Sequence, residues 1–295
     1  MVRHHARHGD GVRDVALLVG DAAAAFERAV AGGAEPHLPP ETRADEHGEV
    51  VVSAIRAYGE TVHSFVQRAG YGGVFLPGYA PVEPAPAPAA AVGLERVDHV
   101  VANVELGRMD AWVRFYADVM GFTELVHYDD EAIATEYSAL MSKVVWDGHG
   151  RIKMPINEPA AGRKKSQIEE FLDYYRAPGV QHLALATRDI VGTVQALRAN
   201  GVRFIDVPDA YYAEVRERLD WSDIDADLDV LAANDVLVDT DDEGYLLQIF
   251  SEQVQDRPTV FFEIIERRGS QGFGEGNFKA LFEAIERDQA ARGNL

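Results

Sequence analysis

The chain has 295 residues, 47% of them hydrophobic and 26% charged, with a formal net charge of −21 at pH 7. That length accommodates about two domains and a sizeable core, and the acidic balance excludes nucleic acid and anionic membrane surfaces as partners. With no cysteine there are no disulfides, thiolate nucleophiles or sulfur-ligated metals, so any metal must be held by His, Asp or Glu.

No apolar run reaches about 18 residues and no signal-peptide pattern is seen, so a cytoplasmic protein is the default expectation. Residues 1–10 carry His4, His5 and His8. Frayed termini make poor preorganised sites, so these are expected in a solvated arm. A strand over 11–19 follows, then a helix over roughly 21–31 stopped by Gly32-Gly33. Val50–Arg56 and Glu60–Gln67 read as a strand pair joined near Gly59. Residues 80–93, with Pro81, Pro84, Pro86 and Pro88 in an Ala-rich setting, read as a stiff linker dividing 1–79 from 94–295.

The second half opens with a strand over 95–102 carrying His99. A helix at about 109–119 puts Trp112, Phe115, Tyr116 and Val119 at helical spacing and ends at Gly121. Strands are expected near 122–128, 132–138 and 142–146. Met154–Pro159 reads as a loop, Arg163-Lys164-Lys165 as a solvated basic patch, and 166–175 as a helix. The strand Gly179–Leu185 carries His182, with Val180, Ala184 and Ala186 on the same face. A helix over 189–199, a charged stretch over 211–234, and a hairpin of Val236–Thr240 with Gly244–Phe250 follow. Strand 258–266 places Glu263 between Phe261 and Ile265 on one face. The glycine run Gly272–Asn277 lacks the spacing of a dinucleotide loop and reads as a lid. A last amphipathic helix, 277–291, is capped by Asn277.

The chain also repeats itself. Gly11–Leu17 resembles Gly179–Leu185, and both lead through an aspartate and a helix to Gly32-Gly33 or Asn200-Gly201. Asp14 stands where the repeat has His182. Such similarity points to repeated β-α-β-β-β modules.

His99, His182 and Glu263 are each the lone ionisable side chain on an apolar strand face. A carboxylate buried unpaired costs several kcal/mol, so Glu263 needs a cation or a changed pKa. Two imidazoles and a carboxylate form a ligand set for a divalent metal. With one face of an octahedron open they suit non-haem Fe(II) and oxygen chemistry, and zinc is allowed on ligand type alone.

From about residue 8 onward the chain resembles the 4-hydroxyphenylpyruvate dioxygenases of the vicinal-oxygen-chelate superfamily. The stretches that carry the resemblance include Phe75–Tyr79, Val97–Val101, Lys153–Pro159, Lys164–Ile168, Gly179–Leu185, Gly244–Phe250, Gln255–Thr259 and Gly272–Phe278. It implies an α+β fold of βαβββ modules, with an open barrel around Fe(II) held by His99, His182 and Glu263, and O2 as co-substrate. It further implies conversion of 4-hydroxyphenylpyruvate to homogentisate and CO2 in tyrosine and phenylalanine catabolism. The implied pocket is Ser142, Val144, Pro155, Asn157, Gln167, Gln181, Gln248, Phe250, Phe261, Phe273, Asn277, Phe278 and Leu281, with the last helix as its gate. Ser142, Asn157, Gln181 and Gln248 are expected nearest the chemistry, and a homo-oligomer, dimer or tetramer, is expected. Members begin with a further module, so the expectation is that Met1 marks a misassigned start or a fragment boundary and that 1–79 is a partial, non-catalytic module. Two other readings stay open: a 4-hydroxymandelate synthase acting on the same substrate, and a catalytically silent fragment.

Overall fold

The computed structural model describes residues 2–82, 91–128, 139–160, 165–277 and 293. Helix α1 (Val2–His8) precedes β1 (Leu17–Leu18), α2 (Ala22–Ala31), β2 (Pro36–Asp45), β3 (Gly48–Arg56) and β4 (Val62–Gln67). Next come β5 (Arg96–Asn103), α3 (Met109–Met120), β6 (Thr123–Tyr128), β7 (Ala139–Trp146), β8 (Lys153–Ala160) and α4 (Gln167–Tyr175). The last group is β9 (Gly179–Ala186), α5 (Ile190–Ala199), α6 (Asp209–Arg218), α7 (Leu228–Ala232), β10 (Leu237–Asp241), β11 (Gly244–Phe250) and β12 (Phe261–Arg268).

Three βαβββ modules account for both sheets. In each, the first strand pairs in parallel with the last: β1 with β4, β5 with β8, and β9 with β12. The first module forms its own four-stranded sheet, β1-β4-β3-β2. The other two join through the antiparallel pair β5–β9 into one curled eight-stranded sheet, β10-β11-β12-β9-β5-β8-β7-β6. The repeat extends to the helix caps. Asp21 accepts a hydrogen bond from the Ala24 backbone N–H (2.8 Å) and Asp189 from that of Gly192 (2.9 Å), each satisfying an orphan donor at its helix N-terminus. The first module packs on the second through Tyr58, Val12, Val15 and Leu17 against Val100, Ala102, Tyr116 and Met154, and His63 Nε2 meets the Tyr116 hydroxyl at 2.8 Å.

Several expectations need correction. The strand over 11–19 shrinks to Leu17–Leu18 and a single bridge, Asp14 to Val62. Met154–Pro159 is not a loop but most of β8, a central strand buried on both faces. Residues 36–45 form an unforeseen strand, β2, whose prolines are tolerated because it lies at the sheet edge. The terminal arm is helix α1, with His4 and His8 buried. Asn277 is not an N-cap, since residues 275–277 are already helical. The strand over 132–138, most of the linker, Arg163, Lys164, and the last helix with Phe278 and Leu281 lie outside the described residues.

Candidate metal centre

Register builds the site. Across the β5–β9 pair, His99 lies opposite Ala184 and Val101 opposite His182. Across the β9–β12 pair, Glu263 lies opposite Ala184 and Phe261 opposite His182. The three ionisable side chains therefore rise from one face of three adjacent strands. His99 Nε2 lies 3.2 Å and His182 Nε2 3.4 Å from the same oxygen, Glu263 Oε2. All three residues are buried, and they group as a candidate metal site.

A matching irregularity precedes each histidine. The β5–β9 ladder slips once between Val97 and His99, leaving Asp98 as an extra residue on β5. It slips again between Val101 and Ala102, leaving Gln181 as an extra residue on β9. A bulge re-aims a side chain that strict alternation sends to the other face. Asp98 Oδ1 here accepts from His99 Nδ1 at 2.9 Å, and Gln181 Oε1 from His182 Nδ1 at 3.1 Å. Both imidazoles thus have the Nδ1–H tautomer, and both Nε2 lone pairs face the carboxylate. This is the outer-shell arrangement that orients metal-ligating histidines. Arg267 in turn holds Asp98 through contacts of 2.8–3.1 Å.

The electrostatics agree with a cation site. Burial disfavours the charged form of Glu263, but His99 and His182 outweigh it and hold the carboxyl at about 2. Burial also opposes a charge on His99, yet Glu263 and Asp98 raise its pKa; His182, for which burial dominates, is lowered. Asp98 is desolvated too, but hydrogen bonds from His99 and Arg267 keep it well below the usual carboxylate range. Among the described residues, Glu263 Oε1 is buried without a hydrogen-bond partner. A buried carboxylate with one oxygen unpartnered and two imidazole lone pairs converging on the other fits a divalent metal.

The cavity over this centre is walled by Ser142, Val144, Pro155, Asn157, Gln167, Gln181, Phe250 and Phe273, all of them expected, and by Val101, Tyr128 and Leu140, which were not. Gln167 is the first residue of α4, placed by a capping box in which Ser166 and Glu169 exchange side chain-to-backbone hydrogen bonds. Gln181 Nε2 lies 3.4 Å from Gln167 Oε1, and Asn157 Nδ2 3.4 Å from Asn103 Oδ1. Phe250 stands edge-on to His182 (6.1 Å) and Phe273 edge-on to His99 (5.0 Å).

Among the described residues, three others expected in the pocket make contacts around it. Phe261 stacks on His182 at 4.7 Å. Gln248 is buried beneath Gly274, where a Cβ would come within 2.3 Å of its Nε2. Asn277 accepts from the Tyr211 hydroxyl at 2.6 Å. Asp98 and Arg267 are the functional pair that reading the sequence missed. The available signal was an acid directly before one ligand histidine and an arginine four residues after Glu263.

Residues 96–249 match the family model described as "Glyoxalase/Bleomycin resistance protein/Dioxygenase superfamily". A 4-hydroxyphenylpyruvate dioxygenase from Dictyostelium discoideum is 48% identical over 298 residues, 99% of this chain and 81% of that one. One from Tetrahymena thermophila is 46% identical over 301 residues, 100% of this chain and 74% of that one. Among solved structures, a triple mutant of 4-hydroxymandelate synthase from Streptomyces coelicolor superposes with a TM-score of 0.84 at 32% identity, covering 97% of this chain and 80% of that one.

Proposed function

The chain belongs to the glyoxalase/bleomycin resistance protein/dioxygenase superfamily and, within it, to the 4-hydroxyphenylpyruvate dioxygenases, and from that membership we propose that it converts 4-hydroxyphenylpyruvate and O2 to homogentisate and CO2. The observation that carries the reading is the convergence of His99, His182 and Glu263 in a chain 46–48% identical, over nearly its whole length, to two such dioxygenases.

His99, His182 and Glu263 hold Fe(II), which when bound supplies the activation of O2 against a 2-oxo acid. Everything else falls to the side chains. Asp98 and Gln181 keep the imidazoles in the ligating tautomer. Phe250 and Phe273 grip the aromatic ring by offset or edge contacts, which contribute about 0.5–1.5 kcal/mol beyond area burial. Ser142, Asn157, Gln167 and Gln181 hydrogen-bond the phenol and the oxo acid, while Val144, Pro155 and Leu140 exclude water. Residues 94–295 carry this chemistry. Residues 1–79 are a non-catalytic module that supports it by packing on α3. Its Asp14 and Ser64, hydrogen-bonded at 2.6 Å, occupy the places of His182 and Glu263, so the repeat keeps a polar pair but not the ligand set.

The test is anaerobic loading with Fe(II) and 4-hydroxyphenylpyruvate, then O2, with the product identified by mass and retention time. Homogentisate is the expected product. 4-Hydroxymandelate would select the other oxidation of the same substrate. Absence of CO2 release would remove both.

A further inference from the structure

Among the described residues, a second group offers a metal-ligand set. His4 and His8 lie one turn apart on α1, where residues at i and i+4 share a face. Glu60, from the turn between β3 and β4, faces them. One ligand atom of each lies within 4.8 Å of the others. His8 is fully buried, His4 is 7% exposed, and Glu60 is half-buried.

Hydrogen bonding defines what the group lacks. His8 Nδ1 lies 2.5 Å from the Tyr175 carbonyl oxygen. A carbonyl only accepts, so Nδ1 carries the proton and Nε2 presents a lone pair. That lone pair points at another acceptor, Glu60 Oε2, 3.4 Å away, and among the described residues His8 Nε2 has no hydrogen-bond partner. His4 Nδ1 lies 3.6 Å from the same oxygen, and neither of its ring nitrogens has a hydrogen-bond partner among the described residues. Arg7 Nη1 donates to the other carboxylate oxygen, Oε1, at 3.0 Å, leaving Oε2 to the histidines. Two ring nitrogens that converge on one carboxylate oxygen, one of them fixed as an acceptor by its tautomer, suit a cation held between them. Tetrahedral zinc with bonds of about 2.0 Å sets its ligand atoms about 3.3 Å apart, close to the 3.4 and 3.6 Å found here.

We propose that His4, His8 and Glu60 form a second divalent-metal site of the zinc type, separate from the His99–His182–Glu263 centre. Glu60, with 28% of its side chain exposed, is the solvent-facing member of the group. The bound ion ties α1 to the β3–β4 turn and, through Tyr175, to the C-terminal end of α4, whose first residue Gln167 lines the catalytic cavity. His5, between the two ligands in sequence, is excluded: it is exposed and faces Asp10 at 3.2 Å.

The test is titration of Zn²⁺ into the chelator-stripped full chain against a chromogenic competitor. Two equivalents are expected for the unmutated chain, one filling each group. His4→Gln is expected to weaken one equivalent by on the order of 100-fold or more, Glu60→Gln to do the same, and His5→Ala to leave both intact. A single equivalent in the unmutated chain overturns the proposal, whatever the variants do. So does equal loss from His5→Ala and His4→Gln, which would mark a histidine-rich arm rather than a built site. Glu60→Gln, at a half-buried turn, provides the readout if His4→Gln does not fold. Because the titration reads zinc alone, its outcome is independent of whether the chain turns over 4-hydroxyphenylpyruvate.

Discussion

His99 and Glu263 meet across a strand that belongs to neither: both are registered to Ala184 of β9, one from the antiparallel side and one from the parallel side. Two strand spacings of about 4.8 Å separate their backbones. The side chains close that gap only because the residue between them ends at Cβ.

Ala184→Leu should therefore abolish metal binding while keeping the fold. The new side chain fills the space over which the ligands converge, and overpacking costs about 1–3 kcal/mol. Iron content after reconstitution, read beside a thermal melt, checks this. Full iron loading would show that the ligands do not close over Ala184.

The two bulged residues should be unequal. Asp98→Leu and Gln181→Met each remove an acceptor from a ligand histidine, and losses of about 10–100-fold in metal affinity are expected. Asp98 should lie at the upper end, because its bond is charge-assisted and it also anchors Arg267. Competitive titration with a chelator ranks them. Equal effects would mean that the Arg267 contact adds nothing.

Lys153 should leave a mark on alkaline stability. Burial, reinforced by Arg267, lowers its pKa from 10.5 to about 8. Between those values the unfolded chain binds more protons than the folded one, so stability from this group rises with pH across the window. The cost of burying the ammonium is complete below about pH 8 and gone above about 10.5. Lys153→Met should be the more stable form at pH 7, by on the order of 1–3 kcal/mol. Its advantage should vanish by pH 10.5 in urea midpoints measured along the series. A constant difference at every pH would mean that Lys153 does not titrate in this window.

Gly59 joins the first module to the catalytic strand. Its φ is +60°, and a Cβ there would come within 2.3 Å of the Pro178 carbonyl oxygen, just before β9. Gly59→Ala should lower stability by about 1–3 kcal/mol, seen as a lower denaturant midpoint. An unchanged midpoint would show that the two modules tolerate separation there.

The triad was legible because a lone ionisable residue on an apolar strand face stands out against a period of two, three times over. Asp98 was not, because one extra residue breaks that period, and strict alternation sends Asp98 away from His99. Gln181 was placed only through its family resemblance, for the same reason. Strand β8 was misread because it is buried on both faces, which erases alternation, and because Pro155 and Pro159 imitate loop punctuation. Local sequence also could not foresee that α1 would find Tyr175 and Glu60, contacts that span 167 and 52 residues from His8.

The parallel pairing of β9 with β12 carries a consequence for synthesis. Glu263 follows His182 by 81 residues, which at about 5–20 residues per second takes about 4–16 seconds to translate. During that interval the nascent chain can form the β5–β9 pair and both histidines, but no carboxylate has arrived to join them. The outer edge of β9 stands open, with its backbone donors and acceptors unpaired. The strand that completes the metal centre is thus also the one whose late arrival leaves a template that a neighbouring nascent chain can fill first.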